Sequence, residues 1–247
     1  MRYKLTVEYD GSSLLGWQRQ LDGPSVQQYL EEVLSILNGG QHMEVSSAGR
    51  TDAGVHALAQ VAMIELQRPM SEFKIREAFN AHLRLKGAPV AVTEVEAAAE
   101  DFHPRFKAKS RAYIYRILNR RAPSVVRQNR VWWVPVELDV GLMRKGAEYL
   151  LGHHDFTSFR AVACQAKSPL KTLDRLDIRQ DGDEIVFEVE ARSFLHHQVR
   201  NMVGTLKLVG EGKLAPTDIK MILEAKDRTK AGPTAPACGL YLSKVTY

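Results

Sequence analysis

The chain has 247 residues, 45% hydrophobic and 26% charged, with a formal net charge of +5. That suits one large domain or two of roughly 100 to 150 residues, each with its own core. No stretch approaches the roughly 20 apolar residues of a membrane span, and the charged start "MRYKLTVEYDG" is not a signal peptide, so the expected setting is the cytoplasm.

"YKLTVEY" (3–9) alternates and predicts a strand, and "DG" turns the chain. "PSVQQYLEEVLSIL" predicts a helix opened by Pro24–Ser25. Ser25 and Gln28 have capping-box spacing, and Val26, Leu30, Val33, Leu34 and Leu37 form one stripe. Asn38–Gly39–Gly40 stops it. A short strand near 44–47, a strand over 58–66, a helix over 71–83 capped by Ser71 and a strand over 89–97 complete a β-α-β-β-α-β order. The second half repeats that order: a strand over 110–119, a helix over 139–152 closed by Gly152, and strands over 172–180 and 184–192 around a "DGD" turn. A helix over 195–210 follows, with Leu195, Val199, Met202, Val203, Leu206 and Val209 as its apolar stripe, then a short helix near 217–225 and a strand over 239–247.

The expected fold is therefore α+β. It comprises two ferredoxin-like split β-α-β units, 1–104 and 105–247, whose mainly antiparallel sheets join, with helices on the outer face and an RNA-binding cleft between the units. A fold of this kind does not fix function, although related sheets bind RNA on their open face.

Charge is unevenly spread. Residues 1–105 carry ten Lys/Arg against fourteen Asp/Glu, and residues 106–247 carry 24 against 15. Between Phe102 and Val136 there is no acid. Nine basic residues fall there (Arg105, Lys107, Lys109, Arg111, Arg116, Arg120, Arg121, Arg127 and Arg130), interleaved with Phe106, Tyr113, Tyr115, Trp132 and Trp133. Cations neutralise phosphates and aromatic faces stack on unpaired bases, so a polyanionic partner is expected. Cys164 and Cys238 read as free thiols. The eight histidines include no i, i+4 pair, and no metal site is expected.

The segment "AGRTDAGVHA" (48–57) is set apart by its chemistry. Gly49 and Gly54 bracket Arg50, Thr51 and Asp52 just ahead of an apolar strand. Glycines make a shaped loop, and a carboxylate beside an arginine can be held ionised, as a nucleophile requires. The plainer alternative is a turn-forming Asp.

"YDGSSLLGWQRQ", "SVQ", "AGRTDAGVHALAQV", "DFHPRFKAKSRAYIYRI", "LGHHDFTSFR", "FLHHQVRNMVGTL" and "AKDRTKAGPTAPACGLYL", in this order, closely resemble the tRNA pseudouridine synthase A family from Tyr9 to the C-terminus. The resemblance implies an isomerase that converts uridine to pseudouridine at positions 38, 39 and 40 of the tRNA anticodon stem-loop. It implies no metal and no organic cofactor, and a homodimer. Residue by residue, it implies that Asp52 is the nucleophile, Arg50 its motif partner, Tyr113 the aromatic that stacks on the target uracil and Arg200 the basic residue facing the aspartate. Arg111 is an expected substrate contact, and Leu240 packs beneath the base. Three roles stay open for Arg50: pairing with phosphate, replacing the flipped base, or holding Asp52. Attack at C1′, attack at C6 and proton removal stay open for Asp52. Tyr115 reads as structural.

Two rival functions fit the same residues. A catalytically silent RNA-binding module would not need Asp52. A nucleoside hydrolase would lose a base, whereas isomerisation leaves the RNA mass unchanged.

Overall fold

The computed structural model describes residues 1–247 and divides into two compact units, residues 1–109 with 241–247 and residues 110–240.

In the first unit the expected order forms. Strand β1 (Arg2–Tyr9) is followed by helix α1 (Val26–Leu37), strands β2 (Ser46–Ser47) and β3 (His56–Glu65), helix α2 (Glu72–Leu85) and strand β4 (Val90–Ala97). β1 alternates as read, with Tyr3, Leu5, Val7 and Tyr9 buried. It lies antiparallel between β4 and β3, with Leu5 opposite Val95 on one side and Ala62 on the other. On the far side of β3, β2 pairs antiparallel near Met63. The final strand β10 (Leu240–Thr246) pairs parallel at the other end, Tyr241 opposite His56. The order β4-β1-β3-β2 is the split β-α-β arrangement with one strand cut to two residues. Residues 241–247, assigned to the C-terminal half by chain order, thus belong to the first unit.

The helices cover the sheet with the stripes the sequence shows. Val26, Leu30, Val33 and Leu34 of α1, and Ile75, Phe79 and Leu83 of α2, are buried. Ser25 Oγ accepts the Gln28 amide at 3.3 Å, but Gln28 Nε2 donates to Glu32 at 2.9 Å, so its side chain is engaged along the helix. Asn80 of α2 bonds the Val92 amide and carbonyl, each at 2.8 Å, and so fixes the helix to β4.

The second unit holds strands β5 (Ser110–Asn119) and β6 (Trp132–Val134), helix α3 (Val140–Glu148), strands β7 (Gly152–Asp155), β8 (Leu170–Asp181) and β9 (Glu184–Ala191), and helices α4 (Gln198–Gly210) and α5 (Asp218–Ala225). Its sheet runs β5-β9-β8-β7, with β6 beside β5. Gly182, at φ 57°, makes the expected hairpin turn.

Two helix boundaries differ from expectation. α3 ends at Glu148, because Gly152 at φ 95° begins strand β7, opposite Leu173, rather than closing a helix. α4 begins at Gln198, not Leu195. Gln198 Oε1 accepts the Leu195 amide at 2.8 Å, and His197 is left-handed at φ 63°. The stripe itself, Leu195 to Val209, is buried as read.

Candidate active site

The 48–55 loop is held from two sides within the first unit. Tyr9 and Thr51 join their hydroxyls at 2.8 Å in a buried contact. The Trp17 amide donates to the Thr51 carbonyl at 3.1 Å, and the Gly54 amide to the Leu14 carbonyl at 3.3 Å. Gln60, fully buried, donates through Nε2 to the Gly49 carbonyl at 2.8 Å. The 10–17 turn therefore lies directly on the loop that carries Asp52.

The glycines of "YDGSSLLGW" exist for that contact. A Cβ on Gly11 would sit 2.1 Å from the Val55 carbonyl oxygen. One on Gly16, at φ 90°, would sit 2.4 Å from the Thr51 oxygen and 2.9 Å from the Asp52 carbonyl carbon. No real side chain tolerates such distances to backbone. Of the two glycines within the motif, Gly54 uses a positive φ and Gly49 does not.

His56, the histidine of the motif, completes the clamp. It is buried at the start of β3, accepts the Gly11 amide at Nδ1 (3.1 Å), lies 3.2 Å from Asp10 and stacks on Tyr241 with centroids 4.6 Å apart. Nothing in the residue types of Tyr9, Gly11, Gly16 or His56 alone assigns them a role. Their presence in "YDGSSLLGW" and "GVHA" was the only signal.

Asp52 itself is half-buried and Arg50 is exposed.

Because Tyr9 reaches the residue next to Asp52, Tyr9→Phe is expected to cost about 1–2 kcal/mol of stability and to slow single-turnover isomerisation by several-fold at unchanged tRNA affinity. Urea unfolding beside a rapid-quench assay checks both halves.

In the second unit, Tyr113 is half-buried on β5, opposite Val189, its ring edge-on to Phe194 with centroids 5.2 Å apart. Tyr115 is wholly buried and donates to the Pro236 carbonyl at 2.8 Å. Burial pushes its phenol well above the usual value, so it stays neutral. Arg111 is buried and donates to the Arg192 carbonyl at 2.6 Å. Arg200, in the first turn of α4, donates through Nε to the Ala235 carbonyl at 2.8 Å, and the Ala235 amide returns a bond to the Arg200 carbonyl at 3.1 Å. Leu240 is buried. The fold thus ties Arg200 to the segment that leads to Leu240.

The basic run is less bare in space than in sequence. Arg116 and Arg127 both pair with Glu184, Arg120 with Asp183 and Lys107 with Asp101. These acids stand outside residues 102–136; Asp183 lies in the β8–β9 turn and Glu184 opens β9.

Comparison with known proteins gives this geometry its class. The family model described as tRNA pseudouridine synthase matches residues 5–107 and 147–247. Arg50, Asp52, Arg200 and Leu240 fall inside those spans, and Arg111 and Tyr113 fall between them. Full-length relatives bridge the gap. The chain is 59% identical over 246 residues to tRNA pseudouridine synthase A of Paramagnetospirillum magneticum, covering 100% of this chain and 95% of that protein. It is 55% identical over 246 residues to that of Rhodospirillum centenum and 51% over 246 residues to that of Mesorhizobium japonicum, covering 100% of this chain and 99% of each relative. These matches define an RNA-modifying isomerase. The chain belongs to the tRNA pseudouridine synthase family, whose reaction forms pseudouridine in tRNA. No helix is long and apolar enough to cross a membrane.

Proposed function

We propose that the chain isomerises uridine at positions 38, 39 and 40 of the anticodon stem-loop, with Asp52 as its nucleophile. The observation that supports this best is the rigid seat of Asp52. A loop pressed against backbone at Gly11 and Gly16 is built to hold one carboxylate still.

The reaction breaks the N1 glycosidic bond, turns the uracil and joins C5 to C1′. All three open routes use the ionised carboxylate. Tyr113 stacks on the uracil and keeps it from escaping while detached, a contact worth roughly 1–3 kcal/mol. Arg50, exposed two residues before Asp52, serves a phosphate, the gap left by the flipped base, or Asp52 itself. Arg200 supplies positive charge to the carboxylate, and Arg111 and Leu240 complete the substrate contacts. The enzyme works as a cytoplasmic homodimer without metal or organic cofactor.

The test uses unmodified tRNAs tritiated at uridine C5 that carry uridine at 38, 39 or 40 singly. Release of tritium to water from each, with pseudouridine mapped to that position, supports the reading. Release from uridines elsewhere but not from these overturns it.

Affinity should also fall with salt. The slope of log K against log salt is set by the strip cations that reach phosphate, and Arg116, Arg120, Arg127 and Lys107 contribute less than a full charge each because acids already neutralise them. Arg121→Ala should flatten that slope by about one, and Arg127→Ala by less, because Glu184 already neutralises Arg127. Filter binding from low to moderate salt measures both.

A further inference from the structure

We propose that Arg228 is a positioning residue for Arg200: its guanidinium bolts residues 231–234 to the first turn of α4 and so fixes the Ala235 carbonyl that orients the Arg200 side chain. This rests on the catalytic reading of Arg200 given above.

Arg228 has an unusual set of partners. One arm, NH1, donates to the carbonyls of Gly232 at 2.9 Å and Ala231 at 3.4 Å. The other, NH2, donates to Asn201 Oδ1 and Thr234 Oγ1, each at 3.1 Å. All four bonds end on neutral oxygens, so the residue serves for its fork rather than as half of an ion pair. A planar fork with divergent arms can hold two segments at once, which a lysine cannot.

Both ends of the bolt are anchored. Asn201 follows Arg200 on α4 and is fully buried. It donates through Nδ2 to the Phe159 carbonyl at 2.8 Å and accepts from the Thr234 hydroxyl at 2.7 Å. Four residues on, the buried Thr205 hydroxyl accepts the Gly232 amide at 2.9 Å. On the Arg228 side, the Asp227 amide donates to the Ser158 hydroxyl at 2.8 Å, which in turn donates to the Ile222 carbonyl at 2.6 Å. Ala235 follows Thr234 directly and exchanges two bonds with Arg200. Loosening Arg228 therefore frees the carbonyl that holds the Arg200 Nε, one residue beyond the bolted segment.

The test compares single-turnover rates and tRNA affinity for Arg228→Lys, Arg200→Lys and the double variant. The expected result is at least a tenfold slower rate for Arg228→Lys with dissociation constants within twofold of wild type. In the Arg200→Lys background the same change should cost less than twofold, because the group it positions is already altered. Thr234→Val should reproduce part of the loss and Thr234→Ser should restore the wild-type rate, a pair that carries the test if Arg228→Lys does not fold. Equal losses in both backgrounds overturn the positioning role while leaving Arg200 in place. A wild-type rate for Arg200→Lys alone would remove the role of Arg200, and that of Arg228 with it.

Discussion

Asp52→Asn is expected to bind unmodified tRNA as tightly as wild type and to form no detectable pseudouridine. The substitution keeps the shape of the side chain and leaves the backbone bond from the Val55 amide to the Asp52 carbonyl (3.1 Å) in place, so the loop has no reason to move. What is lost is the anion. An amide can neither attack C1′ or C6 nor take a proton, and the rate should drop by about 10⁴-fold or more, roughly 5 kcal/mol of barrier. Tritium release and a binding isotherm on one preparation decide the matter. Release near the wild-type rate would remove Asp52 from the chemistry. Weak binding with weak release would mean that the variant disturbs the loop and not only the reaction.

Gly16→Ala should be nearly as damaging without touching a reacting group. The new methyl has to find room 2.4 Å from the Thr51 oxygen and 2.9 Å from the Asp52 carbonyl carbon, on a residue at φ 90°. Left-handed backbone costs a non-glycine residue about 1–2 kcal/mol, and overpacking adds about 1–3 kcal/mol. Part of the overlap is relieved by shifting the 51–53 backbone, and a displacement on the order of 1 Å costs about 10²-fold in rate. Gly39→Ala is the internal control. Gly39 has φ 66° with nothing within 4 Å of a new Cβ, so that variant bears the backbone strain alone and should keep full activity. If Gly16→Ala also kept full activity at reduced stability, the 10–17 turn would be a mere packing contact.

The elements legible in the sequence are those whose burial repeats along the chain. β1, β5, α2 and the apolar stripe of α4 follow period 2 or 3.6 and stand where expected, within two or three residues. β6 is only three residues long, too short for a period to register, and "GHHD" of β7 has no apolar face to announce it. Boundaries set by a single backbone angle, Gly152 and His197, were equally invisible. At the candidate site, Arg50 and Asp52 stand out in a charged, glycine-bracketed loop, but the choice between a nucleophile and a turn-forming aspartate, and the roles of Tyr113 and Arg200, come only from resemblance to a family, because a loop aspartate or a strand tyrosine has no distinctive spacing. The clamp was out of reach for another reason. Gly11, Gly16 and His56 are required by what lies across from them in space, and one sequence carries no record of that. The same holds for the pairing of Arg116, Arg120 and Arg127 with acids roughly sixty residues downstream.

The position of β10 has a consequence for synthesis. β3 is complete once residue 65 is made, yet the parallel partner beside His56 consists of residues 241 and 242. At about 5–20 residues per second, a ribosome needs roughly 10–35 s to travel from one to the other. During that interval the nascent first unit has its helices and three long strands, but the end of β3 next to the Asp52 loop lacks its neighbour, and His56 lacks the ring of Tyr241 that stacks on it. Residues 241 and 242 therefore determine when the clamp around the carboxylate is finished. A chain halted just short of them would carry every residue assigned to the chemistry and still leave the histidine of its own motif half-covered.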